Sequence, residues 1–184
     1  VYQFRFDENT GRLTPNSPAM VKPEEYLGPR HFCFHPSLDV LYFSNEQDCS
    51  VSGYRLDTAT GTLSLFQTVT TLPEGYTERN TCSQIQVSAS GRFLYAPNRG
   101  HDSIACFSVD TATGELTATG RVASEARPNA FSLGPQDKFL YSAGQDSGRM
   151  ATFSVNQDTG ELIPLEVYPL GNTPSWVSIT ELPG

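Results

Sequence analysis

Phe107–Leu116 reads FSVDTATGEL, and this stretch decides the fold because it recurs along the chain without gaps. The other copies are Phe4–Leu13 (FRFDENTGRL), Tyr54–Leu63 (YRLDTATGTL) and Phe153–Leu162 (FSVNQDTGEL). Each has an aromatic residue first, an apolar residue third, then Asp or Asn, then Thr-Gly and Leu. Alternation that breaks at a turn predicts a β-hairpin. The Asp or Asn oxygen can cap the turn, and Gly11, Gly61, Gly114 and Gly160 supply the positive φ that tight hairpins need.

Working outward, the last three copies are each preceded by an apolar run: Val40–Asn45 (VLYFSN), Phe93–Asn98 (FLYAPN) and Phe139–Gly144 (FLYSAG). Before each run, across a turn-rich segment, lies a shorter strand: Phe32–His35, Ile85–Ala89 and Ala130–Leu133. Four short antiparallel strands in a repeat of roughly 45 to 50 residues predict a propeller blade, whose faces are buried by its neighbours. The fold class is therefore all-β, a β-propeller of four-stranded antiparallel blades. Residues 1–27 read as the end of a truncated blade, 28–76, 77–126 and 127–172 as blades, and 173–184 as the first strand of the closing one. The chain opens on Val1 inside an apparent strand, without an initiator Met. The expectation is a C-terminal partial propeller, with N-terminal blades of the same chain upstream.

With 12 basic against 20 acidic residues and a net charge of -8, nucleic acid and anionic membrane are not expected partners. No apolar stretch approaches the roughly 18 residues of a membrane helix. Cys33, Cys49, Cys82 and Cys106 form no CxxC pair and read as buried thiols. Without an Asn-x-Ser/Thr sequon, the expected location is cytoplasmic.

In an up-and-down blade with strands A to D, the D-to-A and B-to-C loops share one face of the disc, and the A-to-B and C-to-D loops share the other. The Thr-Gly hairpins and His35 fall on the second face. The first face collects Arg30, His31, Glu46, Arg79, Arg99, Arg127 and Asn129 around the channel mouth, the default site.

Several segments together resemble the seven-bladed propeller lactonases related to bacterial 6-phosphogluconolactonase and fungal 3-carboxy-cis,cis-muconate cyclase. They are GPRHFCFHP (28–36), SNEQDCSVSGY (44–54), SGRFLYAPNRGHDSIACFSVD (90–110), FLYSAGQDSGRMATFSV (139–155) and TPSWVSI (173–179). The resemblance implies a seven-bladed parent, with Pro29-Arg30-His31 at the active-site mouth. It also implies an Arg after Pro128, where this chain has Asn129, and an acidic or small residue where it has Gln84. Arg127, two residues before Asn129, would point to the same side by strand alternation.

His31 can serve as a general base or as an electrophilic donor. Glu46 reads as a second catalytic base or as a pairing partner of an arginine. Arg30, Arg79, Arg127 and Asn129 are the expected substrate-binding residues, since arginine grips carboxylates and phosphates in bidentate fashion. Arg99 reads as structural, holding loops between blades. No phosphate loop, Ser-His-Asp order or metal-ligand spacing appears, so neither metal nor cofactor is expected. The implied activity is hydrolysis of a small anionic sugar-derived lactone such as 6-phosphogluconolactone. Muconate-type cyclisation and a non-enzymatic binding platform are the alternatives.

Overall fold

In the computed structural model, which describes residues 1–22 and 26–181, the three apolar runs are the strands buried on both faces. They are β4 (Val40–Asn45) and β8 (Phe93–Asn98), buried throughout, and β12 (Phe139–Gly144), buried in its second half. Around them the chain meanders. β3 (Pro29–Phe34), β4, β5 (Ser50–Asp57) and β6 (Thr62–Thr70) form the first four-stranded sheet. β7 (Gln86–Val87), β8, β9 (Ser103–Val109) and β10 (Leu116–Ala123) form the second. The third is β11 (Pro128–Leu133), β12, β13 (Arg149–Val155) and β14 (Leu162–Pro169), and β1 (Tyr2–Asp7) pairs with β2 (Arg12–Met20). Every pairing within these sheets is antiparallel. No helix among the described residues is long and apolar enough to cross a membrane.

Strand alternation explains why the runs are apolar throughout rather than at every second residue. Val40 and Tyr42 point towards the second sheet and pack with Ile85, Leu94 and Phe107. Leu41 and Phe43 point the other way, into a cluster with Val1, Val21 and Tyr54. In the second sheet Leu94 and Ala96 face back to the first, while Phe93 and Tyr95 face forward to Phe131, Leu140 and Phe153. The core is thus a row of inter-sheet layers, each filled by alternate residues of two neighbouring blades.

Polar latches join the same neighbours. Tyr42 donates its buried hydroxyl to the Gly114 carbonyl at 2.7 Å, and Tyr95 repeats the contact one blade later, on Gly160, at 2.8 Å. In the hairpins, Asp7, Asp57, Asp110 and Asn156 accept turn amides through their side-chain oxygens. The four motif glycines adopt φ between +67° and +74°. The turn chemistry expected from the repeat is therefore present in all four copies.

Two strand starts differ from the sequence expectation. β3 and β11 begin earlier, at Pro29 and Pro128, because each opens with a bulge that prolongs the ladder. β7 is only two residues long, and the entry to its blade is held by a lone Cys82–Asn98 bridge. Thr173–Thr180 joins no ladder among the described residues. Val177 and Ile179 nevertheless pack against the Ala130–Ala143 layer of the third sheet. All four thiols are free, and Cys49, Cys82 and Cys106 are buried.

The hairpin glycines are not equivalent. A Cβ on Gly160 would lie 2.3 Å from the Phe93 ring, whereas a Cβ on Gly11 would meet nothing within 4 Å. Gly11→Ala should therefore cost only the left-handed backbone strain, about 1 kcal/mol, while Gly160→Ala should cost roughly 3 kcal/mol through added overpacking. Urea unfolding of the two variants checks the difference, and equal losses would refute the inter-blade role of Gly160.

Candidate active site at the channel mouth

The bulge opening β3 places Arg30 between Pro29, opposite Asn45, and His31, opposite Ser44. The bulge opening β11 does the same with Asn129, between Pro128 and Ala130. Asn129 therefore holds in the third blade the register position of Arg30 in the first, and a bulge is a device that re-aims such a side chain. The turns before them also match: Gly28, Arg127 and Thr173 each precede a proline and have φ of +63°, +56° and +47°.

Glu46 follows the last residue of β4, and Arg99 follows the last residue of β8. These equivalent positions on adjacent blades carry opposite charges, and they meet. The Arg99 guanidinium donates to Glu46 Oε1, to the Cys82 carbonyl at 3.1 Å and to Asn129 Oδ1 at 3.3 Å. Arg30 Nε stands 3.5 Å from the same Glu46 oxygen. One largely buried cation thus ties together three blades, and a carboxylate and an amide beside the channel receive fixed orientations.

His31 is half-buried beside this cluster. Burial lowers its pKa first, Arg30 and Arg99 lower it further, and only Glu46 opposes them. The ring is consequently held neutral at pH 7, with a lone pair able to take a proton. Its backbone is set by Ser44, whose hydroxyl accepts the His31 amide at 3.3 Å and donates to the Ser83 carbonyl at 2.8 Å.

Of the residues expected at the mouth, the structure brings Arg30, His31, Glu46 and Asn129 together. Arg79 and Arg127 line a neighbouring depression of about 240 Å³. Arg127 precedes the β11 ladder at positive φ, so strand alternation does not govern it. Its Nη1 lies 3.8 Å from Asp146. Gln84, the other departure from the family pattern, accepts the Phe131 amide at 2.7 Å and so ties strand A of the second blade to that of the third. His35 is on the opposite face as expected: its Nδ1 accepts the Ser37 and Leu38 amides, and Nε2 faces the Gly91 carbonyl at 3.0 Å. Arg99 is the site residue that sequence reasoning set aside. The available signal was its 53-residue separation from Glu46, the spacing of the second and third hairpin copies.

A family model described as a seven-bladed β-propeller lactonase matches residues 1–179. The chain belongs to that family. A 6-phosphogluconolactonase of Pectobacterium carotovorum is 36% identical over 173 residues, covering 94% of this chain and 52% of the relative. The one from Erwinia tasmaniensis is 33% identical, with 95% and 52% covered. Among solved structures, the periplasmic gluconolactonase of Pseudomonas aeruginosa superposes with a TM-score of 0.87 at 27% identity, over 94% of this chain and 48% of its own. A Lactobacillus plantarum protein gives 0.89 at 26%, over 96% and 51%. The chain spans about half the length of the curated relatives it matches.

Because folding favours the neutral His31 ring, its folded pKa lies below the ordinary value of 6.5. Such a group contributes its full stability above pH 6.5 and loses it as pH falls through the folded pKa. The stability advantage of the wild type over His31→Gln should therefore shrink on acidification from pH 7.5 to 5.5. Urea unfolding at both pH values tests this, and an advantage that grows on acidification would contradict the placement of His31 beside two guanidinium groups.

Proposed function

We propose that the mouth cluster is part of a lactonase site at which water opens a sugar-derived lactone such as 6-phosphogluconolactone. The observation that carries the reading is the neutral, half-buried His31 beside a Glu46 carboxylate gripped by Arg30 and Arg99. The family and the names of the relatives, 6-phosphogluconolactonase among them, support the same chemistry.

His31 takes a proton from water, whose oxygen bonds to the lactone carbonyl carbon. The developing oxyanion is stabilised by the Arg30 guanidinium, which the Glu46 carboxylate keeps in place. The ring carbon-oxygen bond then breaks, the proton passes from His31 to the departing ring oxygen, and the product is a hydroxy acid. Glu46 acts here as a positioning carboxylate, because its Oε1 already holds the Arg99 and Arg30 guanidinium groups in place. With Oδ1 held by Arg99, the Asn129 amide has its two N–H donors left for substrate hydroxyls.

Neither Gln84 nor Asn129 is an idle replacement, since each has an inter-blade partner. This favours a working site over a decayed binding platform. Four free thiols fit the reducing cytoplasm.

The test is an assay of the purified protein on 6-phosphogluconolactone, gluconolactone and a carboxymuconate. His31→Gln should lower kcat by about 100-fold or more while the protein stays folded. His35→Ala should lower the melting temperature and leave kcat in place. Full activity in His31→Gln, or turnover of the carboxymuconate alone, would overturn the hydrolytic reading.

A further inference from the structure

Beside the Glu46 cluster, on the same face, the depression between the second and third blades is lined by Arg79, Asn80, Arg99, Arg127 and Asp146 among others. It touches the cluster through Arg99, which forms part of both. Its volume of about 240 Å³ is below the roughly 300–1,000 Å³ of sites that enclose a whole small molecule. It suits a substituent of a ligand rather than the entire ligand.

Three of its lining side chains are cationic and one is anionic, in a protein of net charge -8. Arg99 is committed to Glu46, but the other two arginines are available. No ion pair or hydrogen bond engages the Arg79 guanidinium among the described residues. Arg127 has one contact, at 3.8 Å, to an Asp146 that is itself mostly exposed. An exposed pair of that geometry is worth little and yields easily to a stronger anion.

The walls, by contrast, are rigid. Asn80 Oδ1 accepts the Gly100 and His101 amides at 2.7 and 3.0 Å, and the Arg99 amide donates to the Thr81 carbonyl at 2.9 Å. A Cβ on Gly100 would fall 2.1 Å from the Arg79 carbonyl, so only glycine lets these loops close. The Arg127 backbone is held from both sides: its amide donates to Asp102 Oδ1 at 2.7 Å, and its carbonyl accepts the Gln145 amide at 2.9 Å. Two guanidinium groups that line one depression, the Arg127 one on a clamped backbone, form an anion receptor.

We infer that this depression is the docking site for the phosphate monoester of the lactone substrate, gripped by Arg79 and Arg127 while the lactone carbonyl lies at Arg30 and His31. A dianion matches two guanidinium groups, whereas a carboxylate is satisfied by one. The substrate assignment rests on the lactonase reading; the anion site itself does not.

Steady-state kinetics on 6-phosphogluconolactone and on gluconolactone, together with calorimetric binding of inorganic phosphate, separate the two. Arg79→Ala and Arg127→Ala should each raise KM for the phosphorylated lactone about 10-fold, the effect of one charge-assisted contact. They should leave kcat, and both parameters for gluconolactone, within about 2-fold. Inorganic phosphate should bind the wild type and not the double variant. Arg92→Ala, on the opposite face where Arg92 meets the Gln157 and Asp158 carbonyls, should not change the ratio of the two KM values. Equal effects on both lactones, no effect on either, or phosphate binding that survives in the double variant would overturn the docking site. If neither lactone is turned over but phosphate binds and is lost in the double variant, the lactonase reading fails and the anion site stands.

Discussion

Everything else in this structure depends on the contact between one blade's C-to-D hairpin and the preceding blade. Its polar half is the tyrosine hydroxyl on the glycine carbonyl, Tyr42 on Gly114 and Tyr95 on Gly160. Asn16 plays the same part on Gly61 at 3.0 Å. Its steric half is the absence of a Cβ: Gly114 sits against Val40 and the Tyr42 hydroxyl, Gly160 against Phe93. Close approach at this point sets the distance between sheets, and that distance must match the apolar layers behind it, since packed interiors do not tolerate gaps. A second latch reinforces the spacing: Gln67 exchanges both of its amide hydrogen bonds with the backbone of Leu116.

The mouth inherits its geometry from those latches. Arg99 must reach Glu46 in the preceding blade and Asn129 in the following one, so it works only if both inter-blade distances are held. The arrangement also has an energetic logic. Burying a guanidinium is costly unless its donors find acceptors, and breaking a buried pair costs more than never having made it. Arg99 meets a carboxylate, a backbone carbonyl and an amide oxygen through its terminal nitrogens, while its buried Nε finds no acceptor among the described residues. Stability and site geometry therefore share one residue, and replacing Glu46 would disturb both.

How much of this could be read from the sequence follows from the range of the forces involved. The hairpins were legible because Asp57, Gly61 and their counterparts act within a few residues, through turn chemistry that recurs in every copy. The middle strands were legible because an unbroken run such as Val40–Phe43 has no other stable place than between two apolar faces. The entry to β7 was not, because Cys82 and Ser83 are held by contacts across blades, Cys82 to the Glu46 carbonyl and Ser83 to the Pro128 carbonyl. Arg99 was read as a blade-joining residue, and it is one. Its bonding to blade-joining groups is what sequence reasoning expected, but the same bonds orient the residues of the mouth. Arg127 escaped the alternation rule because a positive φ ahead of a proline interrupts the strand that the rule assumes.

The repeat also shows how a single site arises on a periodic scaffold. At the register position of His31 the second blade has Gln84 and the third Ala130, and the matching TPSW segment carries Trp176. Gln84 spends its oxygen on the next blade's Phe131 amide, and Ala130 is wholly buried. Those blades use the position for assembly. Only the first leaves it as a titratable ring that no side-chain partner engages among the described residues, beside charges supplied by its neighbours. Symmetry of the backbone provides equivalent positions around the channel, and the proposed chemistry falls where one of them is released from holding the blades together.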